Sequence, residues 1–296
     1  MKVLVTGASG RLGSCVCRLL LNKGYDFLAV DKVPNENLEY PVLEVDLLEL
    51  QACEELLEGV TVLAHFANYG NWDSTAGVEL YNSNVLMNMN LFEIAVNKVC
   101  ERIIFSSSVQ VLDGQLPIKN RLEHPNFLPY IPLDSEMAAI PKNYYALSKH
   151  AAESALKFFA DTSEMVCVAF RFPLLVDSTM LQAAMSSGGM VRGNAYDTFA
   201  YLPVYSGAEA VVKATTADLT GYQNYFVASR DNLEQKPAQE IIESELSDIP
   251  CKKPLDEMDS LVDCSKVEAE LRWEQPKSMV ESLEKYGDLQ SVRPYE

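Results

Sequence analysis

Short apolar runs alternate along this chain with stretches in which apolar residues recur every three or four positions. The first run, Val3-Leu4-Val5, is the pattern of a strand buried on both faces. From Leu12 the apolar positions fall at helical spacing: Leu12, Val16, Leu19 and Leu20. The same two patterns predict strands at 2–6, 26–31, 41–45, 61–66, 101–106 and 165–171, and helices at 11–23, 48–58, 77–99 and 143–162. Such alternation predicts an α/β fold, a doubly wound parallel sheet with helices on both faces. The rhythm breaks between Asp113 and Asn143, a proline-rich stretch long enough to act as a lid. It weakens again after Val176. A helix at 207–218 and a strand at 223–228 are expected to return to the sheet, leaving 177–203 and 231–296 as a smaller C-terminal lobe over the strand ends.

Between the first strand and the first helix stand Gly7, Gly10 and Gly13, in "TGASGRLG". Glycine there permits a tight turn, and the N–H groups opening the helix favour an anion such as pyrophosphate. The spacing is G-x-x-G-x-x-G, not the usual G-x-G-x-x-G, so a glycine-rich turn without ligand stays open as an alternative. Asp31 ends the second strand 18 residues beyond Gly13, where an acid can bond the adenosine ribose hydroxyls. These positions predict a Rossmann-type dinucleotide site over residues 1–176. Asp31 favours NAD over NADP, whereas Lys32 and Arg11 stand where either could meet a 2′-phosphate.

Composition narrows the field. The 296 residues are 48% hydrophobic, enough for a sizeable core, and no run approaches a membrane span. No signal-like segment precedes the first strand, and the seven cysteines have no metal-like spacing, so a cytoplasmic protein with reduced thiols and no metal is expected. A net charge of −18 argues against nucleic acid and anionic membranes as partners.

"NYYALSKHAAE" contains Tyr145-x-x-x-Lys149, which puts a phenol and an ammonium on one helix face. A phenol near its ordinary pKa of ~10 is a poor base, and a neighbouring cation favours the phenolate. Tyr145 could then take a proton from a substrate hydroxyl while hydride leaves its carbon. "RIIFSSSVQVLDG" ends a strand in Ser106-Ser107-Ser108, where a hydroxyl can bond a reacting oxygen. Each signal alone is common; their order along the chain is not.

With these motifs in place, the sequence resembles the extended short-chain dehydrogenase/reductases, specifically the NAD-dependent epimerase/dehydratase group. The motifs are "TGASGRLG" (6–13), "DL" (46–47), "HFAN" (65–68), "NSNV" (82–85), "FSSSVQV" (105–111), "YALSK" (145–149), "FRFPLLV" (170–176) and "LVDCSKVEAELRWEQP" (261–276), covering nearly the whole chain. The resemblance implies that Tyr145 is the acid/base, that Lys149 lowers its pKa and holds the nicotinamide ribose, and that Ser108 binds the reacting oxygen. It implies a cofactor site of Gly7, Gly10, Arg11, Leu12, Gly13, Asp31, Asp46, Leu47, Ala67, Ser106 and Pro173, with Asp46 and Leu47 at the adenine and Ala67 and Pro173 at the nicotinamide. It also implies a homodimer joined through helices 77–99 and 143–162.

The departures bear on the substrate. Val109-Gln110 follow Ser108, so the Asp–Glu pair of the family's 4,6-dehydratases, the Glu of its decarboxylases and the Cys of its epimerase/reductases are all missing. Hydride chemistry at a carbinol carbon of a sugar or nucleotide sugar remains. An epimerase would return the hydride; a dehydrogenase of a free sugar or uronic acid would release NADH. A non-catalytic NAD-binding regulator is the reading from another class, and the retained Tyr145, Lys149 and Ser108 weigh against it. The interval of 37 positions from Ser108 to Tyr145 is long, and the short 177–203 segment points to a small substrate. Arg192 there, and Arg171, are candidate partners for a substrate anion, Arg171 equally a structural ion pair. His65 is expected to support the cofactor loop and Asn84 to order a loop near the site. His124 falls in the lid. Arg272 stands where the family's "LGW" has glycine.

Overall fold

The computed structural model describes residues 1–70, 77–113, 128–186 and 198–286. Strands β1 (Lys2–Thr6), β2 (Asp26–Asp31), β3 (Leu43–Glu44), β4 (Val62–His65), β5 (Arg102–Ser108), β6 (Val166–Phe172) and β9 (Tyr222–Phe226) form one sheet in the order β3-β2-β1-β4-β5-β6-β9. Every pairing in it is parallel. The order reverses between β1 and β4, so the carboxyl ends of these two strands open the crevice where ligands of such sheets bind. The expected α/β, Rossmann-type doubly wound sheet is present.

Helices α1 (Arg11–Asn22) and α7 (Val204–Ala214) cover one face; α2 (Leu50–Leu56), α3 (Gly77–Asn97) and α5 (Tyr144–Thr162) cover the other, and the one-turn α4 (Gln110–Asp113) follows β5. The alternation of β1 sorts the two layers. Val3 and Val5 join the α1/α7 layer and Leu4 joins the α3/α5 layer, all fully buried. The predicted elements lie where the pattern put them, with shifted ends. The strand expected at 41–45 shrinks to the two exposed residues of β3. The helix expected at 207–218 begins at Val204, directly after Pro203.

A second, two-stranded parallel sheet was not expected. It pairs β7 (Leu174–Val176) with β8 (Tyr201–Pro203), and α6 (Ser178–Ser186) follows β7. These strands are too short for a periodic pattern to register. Beyond the main sheet, α8 (Ala238–Glu245), α9 (Ser265–Leu271) and α10 (Met279–Tyr286) pack onto the α7 layer, and their described buried residues share its apolar cluster. Trp273, 2% exposed, donates its indole N–H to the Ser206 carbonyl at 2.9 Å. The distal end of the lid stretch is tied down by backbone. Ile131 bridges to Cys251 and Leu133 to Val262.

α9 ends on Arg272 in the left-handed region, at φ 51° and ψ 37°, where the resembling family has glycine. A side chain there costs about 1 kcal/mol that glycine avoids. Arg272→Gly is therefore expected to raise the melting temperature by about 2 °C, read by thermal unfolding; a fall would show that the arginine side chain contributes more than its backbone costs.

Candidate active site

The glycine turn is a stack of three backbones. Gly7 has φ +68°, and a Cβ on it would stand 2.7 Å from the Ala67 nitrogen; a Cβ on Gly13 would stand 2.1 Å from the Gly7 carbonyl oxygen. The turn thus brings β1, α1 and the segment after β4 into direct contact. Gly10 caps α1 with no side chain bonded to its first turn, which leaves that helix start open to an anion. Thr6 and His65 lock the same junction. Thr6 Oγ1 accepts from the Phe66 and Ala67 N–H groups, both at 3.3 Å, so its own proton goes to His65 Nδ1 at 2.6 Å. Nε2 then carries the ring proton and donates to Asn88 Oδ1 at 2.9 Å. Burial holds the imidazole neutral, with its pKa pushed down to about 3. His65 therefore supports the loop and is no acid or base. Asn84 accepts from the Tyr69 N–H at 2.8 Å and donates to its carbonyl at 3.1 Å, which orders the chain behind Ala67.

At the end of β2, the Asp31 carboxylate accepts from the Ser9 N–H (3.0 Å) and the Val33 N–H (3.1 Å). The two cations that cast doubt on its cofactor preference are turned to other partners. Arg11 donates to the Leu175 carbonyl at 3.0 Å, and Lys32 pairs with Asp46 at 2.8 Å. Leu47 is buried, and its carbonyl accepts from Asn90 at 3.1 Å. Leu12 is buried in the α1 layer, and Pro173 is buried between β6 and β7.

Ser108, Tyr145 and Lys149 come together where β5 ends and α5 begins. Asn143 caps α5, accepting from the Ala146 N–H at 2.7 Å, and is itself held by Gln110, whose Oε1 accepts from Asn143 Nδ2 at 3.1 Å. The residue that breaks the family's dehydratase pattern thus helps to seat the helix carrying Tyr145. The Tyr145 and Ser108 side chains stand near each other, and Ser108 favours the phenolate. Lys149 donates to the Ser106 carbonyl at 2.7 Å, and its ammonium lies 5.5 Å from the Tyr145 ring centroid. Burial pushes the phenol up to about 12 against the influence of Ser108, and pushes the ammonium down to about 7 against the attraction of Glu153. Burial is the larger influence on each of the two side chains.

One sequence candidate is redirected. Arg171 is buried and bonded to Glu153 through two nitrogens, at 3.0 and 2.8 Å, and to the Met137 carbonyl at 2.7 Å; Ser107 donates to the same Glu153 at 2.6 Å. It is a structural ion pair, committed before any substrate arrives. Glu153 was legible as the residue four positions after Lys149, on the same helix face. Arg192, its neighbours Gly188, Gly189 and Gly193, and His124 lie outside the described residues. Among the described residues no cluster of three metal-ligating side chains occurs, and no helix is long and apolar enough to cross a membrane.

Residues 3–176 match the model of the NAD dependent epimerase/dehydratase family, more than half of the chain. The chain belongs to that family. Among curated members, the UDP-glucose 4-epimerase uge1 of Schizosaccharomyces pombe is 30% identical over 150 residues, 43% of this chain and 42% of its own. The GDP-mannose 3,5-epimerase of Arabidopsis thaliana is 26% identical over 181 residues, 58% and 46% of the two chains. The chain spans about half the length of the curated relatives it matches. Among solved structures, a short-chain dehydrogenase/reductase superfamily protein from Agrobacterium tumefaciens with bound NAD superposes with a TM-score of 0.71 at 18% identity, covering 97% of this chain and 96% of its own. The Thermotoga maritima UDP-glucose 4-epimerase with UDP-glucose gives 0.70 at 19%, covering 95% and 96%. These likenesses establish the fold.

The Lys149 ammonium has a pH signature. Its folded-state pKa, about 7, lies below the ordinary 10.5, so the folded protein binds fewer protons than the unfolded chain between those values. Stability gains from this group as pH rises through that window. Lys149→Met is expected to be most stabilising, relative to the natural protein, near pH 7 and least so near pH 10. Denaturant unfolding at both values checks it, and an advantage that grows with pH would refute the assignment.

Proposed function

We propose that the chain is an NAD-dependent enzyme that moves hydride at a carbinol carbon of a sugar, most simply an epimerase of a nucleotide sugar. The observation that carries this reading is the convergence of Ser108, Tyr145 and Lys149 at the start of α5, with the Lys149 ammonium 5.5 Å from the centroid of the phenol ring and bonded to the Ser106 carbonyl. NAD, when bound, supplies the hydride acceptor. The residues present fit it. The uncapped α1 start would hold its pyrophosphate and Asp31 its adenosine ribose, beside the Ala67 backbone that borders the crevice at the strand-order reversal.

The chain's own part is proton management. Ser108 holds the substrate hydroxyl at Tyr145, and Tyr145 takes its proton as the carbon is oxidised. A phenol raised to about 12 is protonated in the resting protein. Lys149, together with the positive charge that an oxidised cofactor would supply when bound, would favour the phenolate at neutral pH. In this reading Lys149 is charged when cofactor is in place and bonds the nicotinamide ribose. Residues 177–203 and 231–296 supply the substrate side, with Arg192 toward a substrate phosphate or carboxylate. The second reading, a dehydrogenase that releases NADH, shares every residue and differs only in whether the ketone stays bound.

Tyr145→Phe is expected to lower turnover by at least ~1,000-fold, within the range of a lost acid/base, while NAD binding stays within about twofold. Purified protein with NAD and a panel of nucleotide sugars, free sugars and uronic acids, followed by absorbance and NMR, measures it. Turnover that survives the substitution would sink the mechanism. Inverted sugar without net NADH supports the epimerase; NADH in excess of enzyme supports the dehydrogenase.

The same reading includes a homodimer through α3 and α5, whose outer surfaces expose Leu86 (49%), Leu147 (40%) and Phe158 (59%). Phe158→Glu is expected to shift the protein to a monomer in sedimentation; an unchanged mass would place the interface elsewhere.

A further inference from the structure

A 2′-phosphate on adenosine ribose is recognised by a cation close to the end of the second strand. Lys32 is the residue after Asp31, yet its ammonium does not turn toward the ribose position. It reaches across the strand ends to Asp46 Oδ2 at 2.8 Å, in the segment after β3, and to the Tyr69 hydroxyl at 3.2 Å, after β4. The Asp46 carboxylate is fixed by its own chain, since its Oδ1 accepts from the Leu48 N–H at 3.1 Å. Tyr69 is fixed in turn by Asn84 on α3, through both its N–H and its carbonyl. The clamp therefore has rigid jaws and one long, flexible cation between them.

We propose that Asp46 and Tyr69 make the site selective for NAD by withholding Lys32 from a 2′-phosphate. This deepens the NAD reading above and rests on it. Asp31 supplies the repulsion, and the clamp removes the one compensating charge adjacent to it in the chain. Arg11 is occupied separately, by the Leu175 carbonyl and by Met180 Sδ at 3.6 Å. The clamp is exposed, with the Lys32 and Asp46 side chains 54% and 36% accessible, so its grip is weak and salt-sensitive and its effect on selectivity is modest. Freeing Lys32 lets a dianionic phosphate compete for it, and because both dinucleotides share the adenine beside Asp46, the effect is read in the ratio of the two affinities.

The test is direct binding of NADH and NADPH to the full chain, by fluorescence, at low and high salt. The natural protein is expected to favour NADH. Asp46→Asn is expected to move the NADH-to-NADPH preference toward NADPH by about fivefold, the size an exposed pair permits. Tyr69→Phe should move it the same way by less. Lys32→Ala/Asp46→Asn should return the ratio to its natural value, because no cation is left to release. High salt should shrink the shift. An Asp46→Asn ratio equal to the natural one, with NADH still bound, overturns the clamp and leaves the NAD reading standing. A shift that persists in the double variant overturns it as well. If the natural protein binds neither dinucleotide, the NAD reading fails and the clamp fails with it.

Discussion

Three backbones meet where Gly7 and Gly13 have no side chains. The Gly7 carbonyl lies where a Cβ on Gly13 would be, and the Ala67 nitrogen lies close to where a Cβ on Gly7 would be. That contact sets how near α1 comes to β1 and how near the segment after β4 comes to both. The crevice at the strand-order reversal inherits its width from it. Thr6 and His65 then fix the junction with hydrogen bonds, and His65 is buried because it serves this purpose. The glycines thus answer first to packing, and their fit to an anion at the α1 start follows from the same geometry.

The second centre of constraint lies at the start of α5. Asn143 and Gln110 seat the helix, and Glu153 anchors it one turn beyond Lys149 through Arg171 and Ser107. Between these anchors stand Tyr145 and Lys149, a phenol kept protonated and an ammonium whose proton is loosely held. Burial disfavours charge on both, so the pair is electrostatically incomplete by itself. A cation bound beside the pair would favour the phenolate and disfavour a second ammonium, so the two side chains respond to it in opposite senses.

Much of this was legible in the sequence, and for identifiable reasons. Buried parallel strands are continuous apolar runs, so β1, β4, β5 and β6 stood out. Glycine turn, strand-end acid, serines and Tyr–Lys pair are local patterns on regular elements. What could not be read depended on distant partners. Arg171 could serve a substrate or an ion pair, and only its approach to Glu153 decides. Lys32 could meet a phosphate until Asp46 and Tyr69, brought beside it by the sheet order, take its ammonium. The pairing of β7 with β8 joins two three-residue segments whose paired residues are 27 positions apart, below any periodic signal. The direction of the Tyr145 shift depends on burial, which spacing does not report.

The backbone bridges at Ile131 and Leu133 give the long interval between Ser108 and Tyr145 a particular freedom to diverge. One end of that interval is fixed behind Ser108, where Val109 donates to the Phe172 carbonyl at 2.9 Å. The other is fixed where Leu133 donates to the Leu261 carbonyl and accepts from Asp263, at 2.9 and 2.8 Å. With both ends pinned, the entropy of closing the loop grows only logarithmically, by about 0.6 kcal/mol for each doubling of its length. Residues can therefore be gained or lost between the pins at little cost to the fold. Descendants of one ancestral scaffold can change the length and composition of this interval while Ser108, Tyr145 and Lys149 keep their places.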